Sequence, residues 1–151
     1  MTLPSPDAPL RIGTRGSPLA LAQAHETRDR LVAAHGLPEA AFEVVVIKTT
    51  GDAVQNRALS EIGGKGLFTK EIEEALTEGG IDLAVHSMKD MPTVLPDGLE
   101  IACLLPREDV RDVFISPRHG EIAALRAGCV VGTSSLRRKA QLLNRRPDLT
   151  V

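Results

Sequence analysis

Residues 10–18 hold the feature that most constrains the fold, a strand that runs directly into a helix start. Leu10-Arg11-Ile12-Gly13-Thr14 has strand character, Arg15-Gly16 turns, and Ser17-Pro18 supplies a hydroxyl cap with proline at the first helical position. The helix predicted from there carries an apolar face through Leu19, Ala22, Leu31 and Ala34 and closes at Gly36, with Pro38 just beyond. Phe42 to Lys48 is rich in β-branched residues and predicts a second strand, leading into a turn at Thr50-Gly51-Asp52. A glycine loop, Ile62-Gly63-Gly64-Lys65-Gly66, precedes a helix marked by Phe68, Ile72, Ala75 and Leu76 and stopped by Gly79-Gly80. Ile81 to Val85 then reads as a short buried strand.

The second half continues the alternation. Leu99 to Leu105 is strand-like, Pro106-Arg107-Glu108-Asp109 interrupts it with charge as a hinge would, and Val113 to Ser116 predicts another strand. A short helix from about Glu121 to Ala127, ended by Gly128, leads to a strand at Cys129 to Gly132 and a turn at Thr133-Ser134-Ser135. A last helix carries Leu136, Ala140 and Leu143 up to Pro147. Strands alternating with helices indicate an α/β class with mostly parallel pairing.

Chemistry collects at the strand ends. His86, Ser87, Lys89 and Asp90 follow the strand 81–85, at the carboxyl edge where open α/β sheets place ligands, and Pro92 stiffens the loop. Lys89 supplies a cation able to hold an anion, and Asp90 a carboxylate able to accept or give a proton. The plainer alternative is a turn ion pair beside a half-buried imidazole. Lys65 sits just before a helix start, yet the Gly-x-x-x-x-Gly-Lys-Ser/Thr spacing of a nucleotide-binding loop is absent.

An internal echo links the halves: residues 11–17 and 130–135 both run strand, Gly-Thr, hydroxyl cap, helix, and each makes a helix start suited to an anion. Leu136-Arg137-Arg138-Lys139 follows the second cap, where cations in the first turn oppose the helix dipole unless an anion compensates. A solvated basic face is the alternative there. Nucleic acid is disfavoured as a partner, because the net charge is −2, this is the only dense basic run, and Trp and Tyr are absent. Cys103 and Cys129 lie in strand-like apolar runs and are expected to be packed thiols, with no disulfide or metal role. No export-type or membrane-spanning apolar run is found, which predicts a soluble, cytoplasmic chain without a membrane partner.

Together the motifs 11–21, 63–71, 85–92, 107–112 and 131–138 closely resemble the porphobilinogen deaminase (hydroxymethylbilane synthase) family, in the family's order and over almost the whole chain from Leu10. The resemblance implies a transferase of tetrapyrrole biosynthesis that condenses four porphobilinogen units head to tail, releasing ammonia, on a dipyrromethane primer. It implies a periplasmic-binding-protein-like (type II) α/β fold, and Asp90 as the catalytic group that binds pyrrole N–H and stabilises the cation formed as ammonia leaves. Arg15, Ser17, Lys65, Ser87 and Lys89 would bind substrate carboxylates. Lys89, Asp90, Thr133, Ser135, Arg137 and Arg138 would bind the dipyrromethane cofactor and early pyrroles.

Two departures stand out. Glu61 occupies a position that is often lysine in relatives. Neither Cys103 nor Cys129 has the context of the cysteine that bonds the primer, which in the family lies in a third domain. The expectation is therefore an amino-terminal fragment: residues 1–105 a first domain lacking a late-returning segment, 106–151 a hinge and the start of a second. Such a fragment is expected to be inactive alone and prone to self-association through its cut sheet, where the intact enzyme is a monomer. The rival reading is a non-catalytic anion- or dicarboxylate-binding module.

Overall fold

The computed structural model describes residues 3–53 and 68–151. It divides into two compact units, Met1–Cys103 and Leu104–Val151. The first is a small α/β layer structure: β1 (Leu10–Thr14), α1 (Pro18–His35), β2 (Phe42–Val46), a helical turn α2 (Thr50–Ala53), α3 (Lys70–Thr77) and β3 (Leu83–Ala84). The sheet order is β2-β1-β3 and both pairings are parallel, with Leu10 opposite Phe42 and Ile12 opposite Leu83. A run such as LRIGT suits the middle of a parallel sheet because its neighbours cover both edges. Asp82 N and Val85 N donate to Arg11 O and Gly13 O, each at 2.9 Å, so the backbone pairing reaches past the two residues of β3 itself.

Ile12, Ala24, Ala41 and Phe42 form the buried centre, flanked by Leu10, Leu31, Val44 and Leu83. Gly13 lets β3 come close: a Cβ placed there would lie 2.2 Å from Ile81 Cδ1. Arg11 ties the same two strands from the outside, with Nη2 at 2.8 Å from Asp82 Oδ1 and Nε at 3.0 Å from Oδ2. This bidentate pair draws the Asp82 carboxyl below its usual range, chiefly through the hydrogen bonds from Arg11.

The expected helix α1 is present, capped by Ser17, whose Oγ accepts from Ala20 N at 3.3 Å, and closed by Gly36 at φ 63°. Its buried face differs from expectation. Leu19, Ala22 and Ala34 are exposed, and a more covered stripe runs through Ala20, Ala24, Thr27 and Leu31, of which Ala24 and Leu31 belong to the core. Spacings of four, three and four keep these on one side, and Leu19 and Ala22 fall off it. The turn expected at residues 50–52 is the helical turn α2. In α3, Ile72 is buried with Ala75 and Leu76 partly covered, as the spacing predicts. The glycine loop 62–66, with Lys65, and Glu61 lie outside the described residues.

The second unit is sparser, and from residue 99 onward several expected elements do not form. Residues 99–105 and 113–116 are not strands, and the helix expected at 121–127 is a single 3-10 turn, Ile122–Ala124. The strand expected at Cys129 to Gly132 is one parallel bridge, Val130 to Thr150. For the runs 99–105 and 113–116 the cause is that a strand needs a neighbour to take its N–H and C=O groups, and these two runs have none among the described residues. Cys103 is consequently exposed, not packed, and Cys129 is only partly covered. The last helix, α4 (Leu136–Arg145), forms as expected. Arg146 organises the loop before it, donating to Ile122 O at 2.9 Å and Leu125 O at 2.8 Å while pairing with Asp148. Among the described residues no helix is long and apolar enough to cross a membrane.

Candidate functional site

In the first unit the carboxyl ends of β1 and β3, neighbours in the sheet, deliver two short segments to one place. From β1 the chain turns through Arg15 to the Ser17 cap; from β3 it passes His86 and Ser87 into the 3-10 turn Met88–Asp90. Arg15, Ser17, His86, Ser87, Lys89 and Asp90 line one pocket there. Arg15, Ser17, Ser87, Lys89 and Asp90 are site residues that the family resemblance implies, and His86 lies beside them. Lys65, the remaining candidate of the first half, lies outside the described residues.

Arg15 is the hub of the pocket. Its Nη1 lies 3.6 Å from Asp90 Oδ2, and its Cζ stands 4.0 Å from the centroid of the Phe68 ring. The planar guanidinium can stack on an aromatic face while its edge faces a carboxylate, which a lysine could not do. Both side chains of the Arg15–Asp90 pair are largely covered, 17% and 25% exposed, so the attraction is screened less than in a surface pair. Beneath them Thr14, fully buried, donates from Oγ1 to Ala20 O at 3.1 Å and fastens the loop to the first turn of α1.

The other donors divide into held and open. Ser87 Oγ donates to Gln23 Oε1 at 3.0 Å, which fixes the hydroxyl against α1. Lys89 is exposed at the rim and makes no ion pair among the described residues. His86 is mostly buried, and burial pulls its imidazole below the ordinary histidine value; Glu73 and Asp90 pull it back up and Arg15 pushes it down, but burial dominates. Sequence reasoning missed Gln23 and the stacking role of Phe68. Gln23 lies six residues after Ser17, about 120° around α1 from the cap, so spacing along the helix gave no signal for it.

In the second unit Ser135 caps α4, its Oγ accepting from Arg138 N at 3.3 Å, and Thr133 Oγ1 accepts from Ser135 N at 3.1 Å. Both halves of the sequence echo therefore have a real hydroxyl cap, although only the first rests on a full strand. Arg137 and Arg138 converge on Asp112, with Nη2 to oxygen distances of 3.0 and 2.7 Å. The anion that the dipole argument required is thus supplied by the chain itself. The arrangement offers cations, hydroxyls and one carboxylate in each unit, a donor set matched to ligands bearing several carboxylates.

The chain matches the family model described as "Porphobilinogen deaminase, dipyromethane cofactor binding domain" over residues 10–151. It is 69% identical over 147 residues to the porphobilinogen deaminase of Paracoccus denitrificans, covering 97% of this chain and 47% of that protein. It is 63% identical over 144 residues to the chloroplastic porphobilinogen deaminase of Pisum sativum, covering 94% and 39%. The Nitrobacter winogradskyi enzyme of the same name matches at 63% over 140 residues, covering 93% and 44%. The chain spans less than half the length of these relatives.

Proposed function

The chain belongs to the porphobilinogen deaminase family, and from that premise we propose that it carries the porphobilinogen-binding and primer-binding residues of a tetrapyrrole-forming transferase. The proposed reaction joins four porphobilinogen units head to tail, releases ammonia and yields hydroxymethylbilane. The pairing of Arg15 with Asp90 at the ends of two adjacent strands, at 3.6 Å and largely covered, carries this reading. A simple anion site needs only cations. A carboxylate held among them suits a substrate that is anionic at its side chains and becomes cationic at its reacting carbon.

Asp90 is proposed as the catalytic residue: it accepts hydrogen bonds from pyrrole N–H and stabilises the positive charge that develops as the carbon–nitrogen bond to ammonia breaks. Arg15, Ser17, Lys65, Ser87 and Lys89 are proposed to hold the acetate and propionate groups, with Arg15 also fixing Asp90. Lys89, exposed at the rim, is suited to meet an arriving carboxylate. Burial lowers the His86 imidazole from its ordinary value, which disfavours a further cation beside Asp90.

The matched domain is the one named for the dipyrromethane cofactor. Lys89, Asp90, Thr133, Ser135, Arg137 and Arg138 would hold it; their ammonium, guanidinium and hydroxyl donors suit its carboxylates, and Asp90 suits its pyrrole N–H. When bound, the cofactor supplies the primer to which units are added. We further propose that the two units are type II periplasmic-binding-protein-like lobes and that the setting is cytoplasmic. The 151 residues alone are proposed to be inactive, because neither cysteine has the context of a primer-bonding residue.

Titrating porphobilinogen into the chain while following backbone amide resonances tests the reading. Shifts centred on Arg15 and Ser87 to Asp90, absent in Asp90→Asn, are expected. Equal binding of succinate, with the same residues shifted, would replace it with an anion-binding module.

A further inference from the structure

Of the sequence motifs shared with the family, Arg107-Glu108-Asp109-Val110-Arg111-Asp112 is the one to which the proposed function assigns no residue. Its last member reaches far along the chain. Asp112 Oδ1 accepts from Arg138 Nε at 2.9 Å and Nη2 at 2.7 Å, and its two oxygens accept from Arg137 Nη2 at 3.2 and 3.0 Å. Arg137 Nη1 is taken by Gln141 Oε1 at 2.9 Å. One carboxylate thus occupies the donors on which both arginines converge.

Among the described residues Asp112 also makes the only long-range polar link of its segment. Among the described residues, Arg111 pairs with its near neighbour Asp109, and residues 104–116 form no helix or strand. The three partners are 57%, 50% and 40% exposed for Arg137, Arg138 and Asp112, so solvent and solutes can reach the pair and its net stabilisation is small. Asp112 lowers the charge of the cluster from two cations to a net one. A weak, exposed, chemically identical carboxylate is what an incoming carboxylate can replace.

Resting on the proposed function, which gives Arg137 and Arg138 a carboxylate-bearing ligand, we propose that Asp112 is a built-in competitor for that ligand. It holds the two guanidiniums together, yields them when a ligand carboxylate takes the same donors, and so releases the 104–116 segment from α4. Ligand affinity is then reduced by the fraction of molecules in which Asp112 holds the pair.

The test uses citrate and porphobilinogen as separate probes on the 151-residue chain. Asp112→Asn keeps the side chain's shape and removes its charge, and is expected to bind citrate roughly two- to fivefold more tightly than wild type, the worth of one exposed ion pair. In wild type the Asp112 carboxyl carbon resonance is expected to move toward that of a solvated carboxylate as citrate binds. Unchanged or weaker binding by the variant would make Asp112 a positioning residue or a bystander and overturn the proposal, as would a stationary resonance. Should the variant fail to fold, the wild-type resonance decides alone. Displacement by citrate with no binding of porphobilinogen would sink the tetrapyrrole reading and leave the competition standing. Porphobilinogen binding with a stationary Asp112 would do the reverse.

Discussion

In the first unit Arg15 meets Asp90 at 3.6 Å with 17% and 25% of the side chains exposed, whereas in the second Arg137 and Arg138 meet Asp112 at 3.0 and 2.7 Å with half or more of each arginine open to solvent. The shorter contacts belong to the looser site. Arg15 and Asp90 are brought together by backbone: they follow adjacent parallel strands, and Thr14 and Ser17 pin the loop to α1. Arg137 and Arg138 are brought together by a side chain on a segment without regular structure. A group that must meet a developing charge in fixed geometry belongs on the first kind of support. Cations that must take and yield carboxylates of a growing chain can sit on the second.

Removing the first unit's support should have the largest effect. Ile12→Ala, at a fully buried side chain in the central strand, is expected to cost about 2–5 kcal/mol in denaturant unfolding. Leu149→Ala, at the one apolar side chain of the second unit that is buried, should cost clearly less, and equal losses would break the contrast. Ser17→Ala comes next, at about 1 kcal/mol for a lost cap, seen as a lower unfolding midpoint and faster amide exchange in the first turn of α1. A pH dependence follows from His86. Its folded imidazole titrates below the ordinary value of about 6.5, so just below that pH the unfolded chain binds more protons. Stability should be complete above about pH 6.5 and decline as pH falls through the folded value, and His86→Asn should flatten that slope. Asp109→Asn, which breaks only a short-range exposed pair with Arg111, should leave the unfolding midpoint where it is.

The first unit was legible in the sequence because its signals are local. Ser17-Pro18 and Gly36 bound α1 by cap chemistry, and Gly79-Gly80 ends the α3 region. Which face of α1 is buried was not legible from Leu19, Ala22 and Ala34, since small residues mark a face weakly and the core took Ala24. The strand-like runs 99–105 and 113–116 failed as predictions because strand character is realised only with a partner, which no local pattern supplies. Candidate site residues were readable as chemistry at strand ends and helix caps. The stacking of Arg15 on Phe68 and the reach of Asp112 to α4 span 53 and 25 residues of sequence, and nothing in the intervening pattern announces either.

Porphobilinogen-dependent ammonia release by the native gene product, compared with the same protein carrying Asp90→Asn, tests the central claim most directly. Loss of release by at least about a hundredfold, the low end of what a positioned acid–base group contributes, in a variant that unfolds at the wild-type midpoint, is the expected result. Release near the wild-type rate would contradict the assignment of Asp90. An absence of porphobilinogen-dependent ammonia from the wild type itself would contradict the transferase reading.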